Sequence, residues 1–278
     1  MKTQQKVWLV TGVSGGLGKE LAKSIYLSGD IIIGTMRSEK DKMLFEQDFP
    51  QRSKAFILDL SDTGKIPVVV EESVKIFGKI DVLVNNAGYG LFGMVEEASE
   101  EEVRHQLEVN FLAVWKLTQA VLPIMRQQKS GHIIQLSSRV GISAGVGGGL
   151  YAAGKFAIEG LSEALAQEVS AFGIKVTLVE PGPLRTDFFG RSVVFAQKEI
   201  TDYHAATGNI RERSKQMDGK QPGDPAKVAS SILEISRLEN PPFRLPFTQA
   251  TLDTLQQKII SYQQVIDDWK EIAVQVQY

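Results

Sequence analysis

The chain has 278 residues, 43% of them apolar and 23% charged, with a net charge of −2; this is the balance of a soluble globular protein rather than a disordered, fibrous or membrane one. No run of five or six Lys and Arg occurs, which argues against a nucleic-acid partner. Without cysteine there is no disulfide, thiolate metal site or cysteine nucleophile, so any chemistry rests on oxygen and nitrogen groups.

Met1 to Lys6 runs straight into the strand-like Val7 to Val10, leaving no apolar stretch long enough for a signal peptide. No segment reaches the roughly 18 to 20 apolar residues of a membrane-spanning helix. A cytoplasmic protein with no membrane partner is expected. Short Val- and Ile-rich runs then alternate with longer amphipathic stretches, the pattern of β-α-β units feeding a parallel sheet buried on both faces. The predicted strands are Val7 to Thr11, Ile31 to Met36, Lys54 to Leu58, Val82 to Asn85, His132 to Leu136 and Lys175 to Val179, with a seventh near Phe243. Helical periodicity fits Leu17 to Ser28, Thr63 to Phe77, Glu100 to Gln128, Ala152 to Phe172 and Pro225 to Leu238. Gly29, Gly78, Gly131 and Gly173 stand where helix stops are wanted. The stretch 188–223 mixes aromatics, charges and glycines without a period and reads as a lid. A Gln-rich terminal helix is expected over about 248–274. No linker divides the chain, so 1–278 is read as one domain.

Thr11-Gly12-Val13-Ser14-Gly15-Gly16-Leu17-Gly18 follows the first strand and opens the first helix. In that context a glycine-rich turn signifies dinucleotide binding. Glycine lets the backbone approach a pyrophosphate, and the helix N-terminus offers unpaired N–H groups and a positive dipole end. By itself the turn could equally be a tight strand-to-helix connection. About 20 positions on, where a dinucleotide fold reads the adenosine ribose, stands Thr35-Met36-Arg37-Ser38. No Asp or Glu lies between Ile31 and Ser38 to accept a bond from a free 2′-hydroxyl. Arg37 can make charge-assisted bonds to a 2′-phosphate, with Ser38 assisting. The cofactor expected is NADP(H) rather than NAD(H), the alternative being that Arg37 is simply solvated.

Tyr151 and Lys155 are spaced Y-x-x-x-K, so on a helix they share one face. A phenol of pKa about 10 is a poor base at neutral pH, but a nearby ammonium favours the phenolate. Alone, such a pair is usually a partly exposed helical face. Here Ser137-Ser138 ends the preceding strand, with Ser138 13 residues before Tyr151.

In order, T-G-x-x-x-G-x-G at Thr11, N-N-A-G at Asn85-Asn86-Ala87-Gly88, S-S-x-x-G at Ser137, Y-x-x-x-K at Tyr151 and P-G-x-x-x-T at Pro181 resemble the short-chain dehydrogenase/reductase family. The resemblance covers residues 6 to about 186 and becomes vague through the lid and the terminal helix. It implies an α/β, Rossmann-type doubly wound parallel sheet of about seven strands with helices on both faces. It further implies that Ser138 polarises the substrate oxygen, Tyr151 transfers the proton, and Lys155 lowers the tyrosine pKa while holding the nicotinamide ribose. Asn110, in Glu108-Val109-Asn110-Phe111, matches an asparagine that supports a proton-relay water; a buried Asn bridging backbone at a helix distortion is the other reading. Asp59 and Leu60 resemble the adenine-contacting pair, unless Asp59 is only a strand-end cap. Asn86, Ala87 and Gly88 would line the cofactor cleft, and Pro181, Gly182 and Thr186 would contact the nicotinamide carboxamide. Arg185 reads as surface. His105, His132 and His204 lack metal-ligand spacing, so no metal is expected.

The chemistry implied is hydride transfer between nicotinamide C4 and a carbonyl or secondary alcohol held between Ser138 and Tyr151. Val140 to Leu150, Leu184 and Phe188 to Phe195 suggest an apolar substrate pocket. Two rivals stand beside this: a non-catalytic NADP(H)-binding redox sensor, against which the intact Ser-Tyr-Lys set argues, and an epimerase or dehydratase, disfavoured by the glycine spacing. The long helices from Glu100 and Ala152 resemble those the family uses in homodimers and homotetramers.

Overall fold

Strand runs that read as continuously apolar do so because both of their faces are covered. β1 (Val7–Thr11) is buried at every position, and β2 (Ile31–Met36) and β4 (Val82–Asn85) nearly so. These pair with β3 (Ser53–Ile57), β6 (Gly131–Leu136), β7 (Ile174–Pro181) and β9 (Arg244–Phe247) in one parallel sheet of order β3-β2-β1-β4-β6-β7-β9. The seven-stranded Rossmann-type fold expected from the sequence is present, with β9 as the strand anticipated near Phe243. The computed structural model describes residues 5–277, so the first four residues of the amino-terminal reading and Tyr278 lie outside the described residues.

One face of the sheet is packed by α1 (Gly16–Leu27), α2 (Glu39–Asp48) and α9 (Pro225–Ile235). There Leu17, Leu21, Ile25, Phe45, Val228 and Ile232 meet Val10, Ile32 and Val84. The other face carries α3 (Ile66–Phe77), α5 (Ala113–Gln128) and α6 (Gly149–Val169), which bring Val69, Leu117, Leu165 and their neighbours onto Leu9, Leu83 and Ile133. The 3- and 4-residue spacing of these apolar positions lets each helix bury one stripe. Because β1 has β4 on one side and its successor β2 on the other, the chain diverges at the carboxyl ends of β1 and β4. A crevice for a dinucleotide opens at such a reversal.

The structure departs from the sequence reading in instructive places. α2 was not anticipated: it buries only Phe45, so it lacks a stripe to betray it, and it forms on the strength of the Ser38 cap, whose hydroxyl accepts from Asp41 N–H at 3.1 Å. Gly131 does not end a helix; it opens β6, and Lys129 takes the left-handed position at φ 54°. The helix expected over Glu100 to Gln128 is α4 (Glu100–Leu107) and α5, joined by a π-helical turn at Glu108–Leu112. The lid stretch contains order of its own. β8 (Val193–Phe195) pairs with β5 (Gly90–Phe92), and α7 (Asp202–Thr207) and α8 (Ile210–Met217) follow. Its backbone is fastened by Glu97 and Glu102, which accept from Ile200 N–H at 2.8 Å and Gln197 N–H at 2.9 Å. The terminal helix is α10 (Gln249–Val274), which buries only Thr251. Among the described residues no helix is long and apolar enough to cross a membrane.

Candidate active site

The glycine-rich turn is held by close approach. Gly12 and Gly16 take φ of 71° and 52°, where a Cβ is disfavoured. A Cβ on Gly18 would lie 2.2 Å from the Gly12 carbonyl oxygen and 2.5 Å from Asn86 Nδ2, so α1 can approach β1 only without one. Asn86 Nδ2 donates to the carbonyls of Thr11 and Gly12 at 2.8 and 3.1 Å, while Thr11 Oγ1 accepts from Asn86 N–H and Ala87 N–H at 3.0 Å each. The second Asn of N-N-A-G therefore spends its amide bracing the turn, and Asn85 spends its own on Gln135 and Thr118. Gly15 caps α1 without a side chain, leaving the first-turn N–H groups without a side-chain partner. Ser14 beside it is exposed and Leu17 is buried. Thr186 faces this turn, 3.4 Å from where a Cβ on Gly16 would stand. Pro181 and Gly182 lead to it, with Gly182 N–H donating to the Phe247 carbonyl at 3.0 Å.

Arg37 is exposed at the carboxyl end of β2. Its charge helps hold the Asp59 carboxyl below the usual carboxylate range, behind the larger effect of the Ser61 backbone N–H. Arg37 and Asp59 thus share one end of the sheet, while Leu60 belongs to the core. Ser38 is engaged in capping α2 and donating to Asp41 Oδ2 at 2.7 Å. Asp59 accepts from both Ser61 N–H and Ser61 Oγ–H, bonding within its own turn rather than capping the helix that follows.

Around Tyr151 the elements converge. Ser138 ends the β6 connection, and its hydroxyl accepts from Val140 N–H at 3.3 Å. Tyr151, in the first turn of α6, is buried, and burial pushes its pKa up to about 12 while a hydrogen bond with the Ser138 hydroxyl pulls the other way. Lys155, one turn on, is also buried. Its Nζ donates to the Leu136 carbonyl at 2.6 Å and lies 5.7 Å from the Tyr151 ring centroid. Burial brings its pKa down to about 8 against the opposing charge of Glu159. The sequence expectation that the ammonium lowers the phenol is not what governs here: enclosure raises the phenol, and the group that lowers it is the Ser138 hydroxyl. Gly88 stands beside this group: a Cβ there would be 2.8 Å from Asn110 Oδ1 and 3.9 Å from Lys155 Nζ.

Asn110 sits in the π turn. Its Nδ2 donates to the Tyr89 carbonyl at 2.6 Å and its Oδ1 accepts from Tyr89 N–H at 3.1 Å. Its side chain is a backbone bridge at a helix distortion, the second of the two readings of this residue. The widened turn is what brings it opposite Gly154 and Gly88.

Two features escaped the sequence. Phe92 and Phe188 flank Tyr151, each with its ring centroid 5.9 Å from the phenol's. Phe188 lies in the expected pocket-lining stretch, but Phe92 arrives through the unforeseen β5. Ser137, Glu159, Glu180 and Arg244 form a buried polar group behind the site. Glu159 follows Lys155 at helical spacing and could have been found; Arg244 reaches it only through the β7-β9 pairing.

Comparison with known proteins accords with this architecture. The family model for short chain dehydrogenases matches residues 6–195. A 3-ketodihydrosphingosine reductase of Bacteroides thetaiotaomicron is 36% identical over 244 residues, 87% of either chain. Among solved structures, a short-chain dehydrogenase from Streptomyces avermitilis superposes with a TM-score of 0.91 at 37% identity over 100% of both chains. An alcohol dehydrogenase of the archaeon Thermococcus sibiricus, complexed with 5-hydroxy-NADP, does so with a TM-score of 0.72 at 25% identity over 88% of this chain and 96% of its own. The chain belongs to the short-chain dehydrogenase family and is an oxidoreductase.

Proposed function

We propose that the chain is an NADP(H)-dependent carbonyl reductase, equally a secondary-alcohol dehydrogenase, acting on an apolar ketone or alcohol. The observation that carries this reading is the meeting of Ser138, Tyr151 and Lys155 beside a crevice whose glycine turn tolerates no Cβ at Gly18. The donor set fits a dinucleotide: open N–H groups at the start of α1 for the pyrophosphate, exposed Arg37 for a 2′-phosphate, and Gly88 close to Lys155 where the nicotinamide ribose would pass. When bound, the nicotinamide supplies or accepts a hydride at C4.

This chain's own groups would do the rest. Ser138 and Tyr151 would donate to the substrate oxygen, meeting the charge that develops on it. A phenol with a pKa of about 12 stays protonated at neutral pH, so Tyr151 is held as the acid that carbonyl reduction requires. In the oxidative direction it would take the proton back, helped by the ammonium of Lys155. Phe92 and Phe188 would exclude water and favour apolar substrates, and the stretch 188–223 would be the lid of one domain. The similarity to a reductase of a long-chain keto lipid base agrees with an apolar ketone. We also propose a homo-oligomer through α5 and α6, supported by Leu112, Trp115 and Phe156, which lie 38 to 41% exposed on that face.

The test is NADPH oxidation by the purified protein against a panel of ketones and aldehydes graded in chain length, run beside Tyr151→Phe. Turnover with apolar ketones that falls by about a thousandfold in the variant, with NADPH affinity preserved, is expected. Turnover retained by Tyr151→Phe removes the proton role.

A further inference from the structure

Behind the proposed site lies a polar cluster that neither hydride transfer nor cofactor binding uses. The Arg244 guanidinium, on β9, donates from Nη1 to Glu159 Oε2 at 2.5 Å and to Glu180 Oε1, and from Nη2 to Glu163 Oε1 at 2.6 Å. Glu159 and Glu163 come from α6 and Glu180 from β7. The other oxygen of Glu159 accepts from the hydroxyl of Ser137, the residue before Ser138. Gly141 leaves room for that contact, since a Cβ there would stand 2.5 Å from Ser137 Oγ and 3.0 Å from Glu159 Oε1. One guanidinium therefore links the three segments that carry the site: the Ser137-Ser138 strand end, the Tyr151-Lys155 helix, and the strand leading into Pro181-Gly182.

The charge count gives the cluster a second consequence. Glu159 and Glu180 are 6% and 0% exposed, and Lys155 is 5% exposed. Glu159 pairs with Arg244 at 2.5 Å and follows Lys155 by one turn on α6, while Glu163 sits at the rim with a side chain 57% exposed. Lys155 also has two uncharged neighbours: the Leu136 carbonyl from β6, which accepts from its Nζ, and the Tyr151 ring. Removing Glu159 takes away the enclosed carboxylate one turn from Lys155, and an enclosed ammonium without a counter-charge sheds its proton.

We propose that Glu159, fixed by Arg244 and Glu180, is a positioning residue for this reaction: it orients the Ser138 strand end through Ser137 and supplies the counter-charge that keeps Lys155 protonated. The opposing effect of Glu159 on Lys155 agrees with this arrangement, and burial together with the neighbouring Glu159 raises the Glu180 carboxyl above the usual range. The inference rests on the catalytic reading above.

The experiment compares full-length wild type, Glu159→Gln, Ser137→Ala and Tyr151→Phe in steady-state ketone reduction with NADPH from pH 6 to 10, with NADPH affinity read by fluorescence. In Glu159→Gln the basic limb of the kcat profile is expected to move down by about one pH unit or more, with NADPH affinity within about threefold of wild type. Ser137→Ala is expected to lose about fivefold in kcat with the limb in place. A basic limb that stays put in Glu159→Gln overturns the counter-charge role, and wild-type kcat in Ser137→Ala overturns the orienting role. Should Glu159→Gln not fold, Glu159→Asp keeps the charge and shortens the reach; it is expected to lose kcat without moving the limb, and a moved limb counts against the proposal. Turnover retained by Tyr151→Phe would instead remove the catalytic reading on which all of this stands.

Discussion

α6 and α10 are the two longest helices, 21 and 26 residues, and both carry apolar residues at helical spacing. α6 buries nine residues, among them Tyr151, Lys155 and Glu159, whereas α10 buries Thr251 alone. Beyond Lys258, which reaches back over the Phe156 ring at 6.0 Å, α10 leaves Ile259, Ile266, Trp269 and Ile272 more than half exposed. The difference shows what periodicity alone does not fix. A stripe becomes a core only when another element covers it, and reactive groups hold their geometry only where neighbours over-determine them.

The sharpest way to break the well-covered side is at Gly18. Gly→Ala inside a helix ordinarily gains about 1 kcal/mol, but here the new methyl meets the Gly12 carbonyl at 2.2 Å, and backbone cannot step aside as a flexible side chain can. Gly18→Ala is expected to lose about 3 kcal/mol in denaturant unfolding and to bind NADPH poorly. Wild-type stability in that variant would mean the turn is looser than its contacts imply.

His132 offers a pH-dependent break in the same covered region. Thr177 Oγ–H donates to the Pro242 carbonyl at 2.7 Å, so its oxygen accepts from His132 Nε2–H at 2.9 Å, and the ring is neutral. Burial, aided by Lys6 and Lys175, lowers its pKa from 6.5 to about 3. The unfolded chain therefore binds a proton that the folded one refuses. Stability is intact above pH 6.5 and falls as pH drops toward 3, at up to about 1.4 kcal/mol per pH unit from this group. His132→Gln keeps an N–H donor without the titration, and urea unfolding at pH 7 and pH 4.5 is expected to show a smaller acid loss than wild type. An unchanged acid loss would assign it elsewhere.

A smaller effect tests the exposed rim of the cofactor crevice. Arg37→Ala removes no contact that the fold depends on, so its unfolding midpoint should hold, while NADPH affinity drops about tenfold and NADH affinity stays level. Equal losses for both dinucleotides would show that Arg37 does not read the 2′-phosphate.

How much of this was legible beforehand follows the same division. The strands read correctly because a parallel sheet covered on both faces writes itself as unbroken apolar runs. The glycine turn, Ser138, Tyr151 and Lys155 were legible because close backbone approach and shared helical faces impose spacing on neighbours in sequence. α2 was hidden because it buries one residue, and the short elements of 188–223 because their order comes from fastenings such as Glu97 to Ile200, 103 positions apart. The π turn could not be seen either: nothing in Glu108-Val109-Asn110-Phe111 interrupts the helical pattern. Arg244 met Glu159 only once the strand order was known. The balance between burial and the Ser138 hydroxyl at Tyr151 was likewise a property of the assembled site, which a motif cannot carry.

The weakest expected effect belongs to the uncovered helix. Truncation after Lys258 keeps Thr251, the contact of Arg139 with Thr254 Oγ1 at 3.4 Å and the Lys258 contact with Phe156, and removes exposed residues, with Tyr262 giving up its place under the Lys258 ammonium. The 16 residues of helix removed, 259–274, would be marginal standing alone in water, so they can lend the body no stability. The truncated protein is expected to melt within about 2 °C of the full chain and to reduce ketones at the same rate, while staying soluble at higher concentration because an apolar stripe is gone. If instead the midpoint falls substantially, the stripe is covered in solution, and the contrast between α6 and α10 would be a matter of which molecule supplies the cover rather than whether one exists.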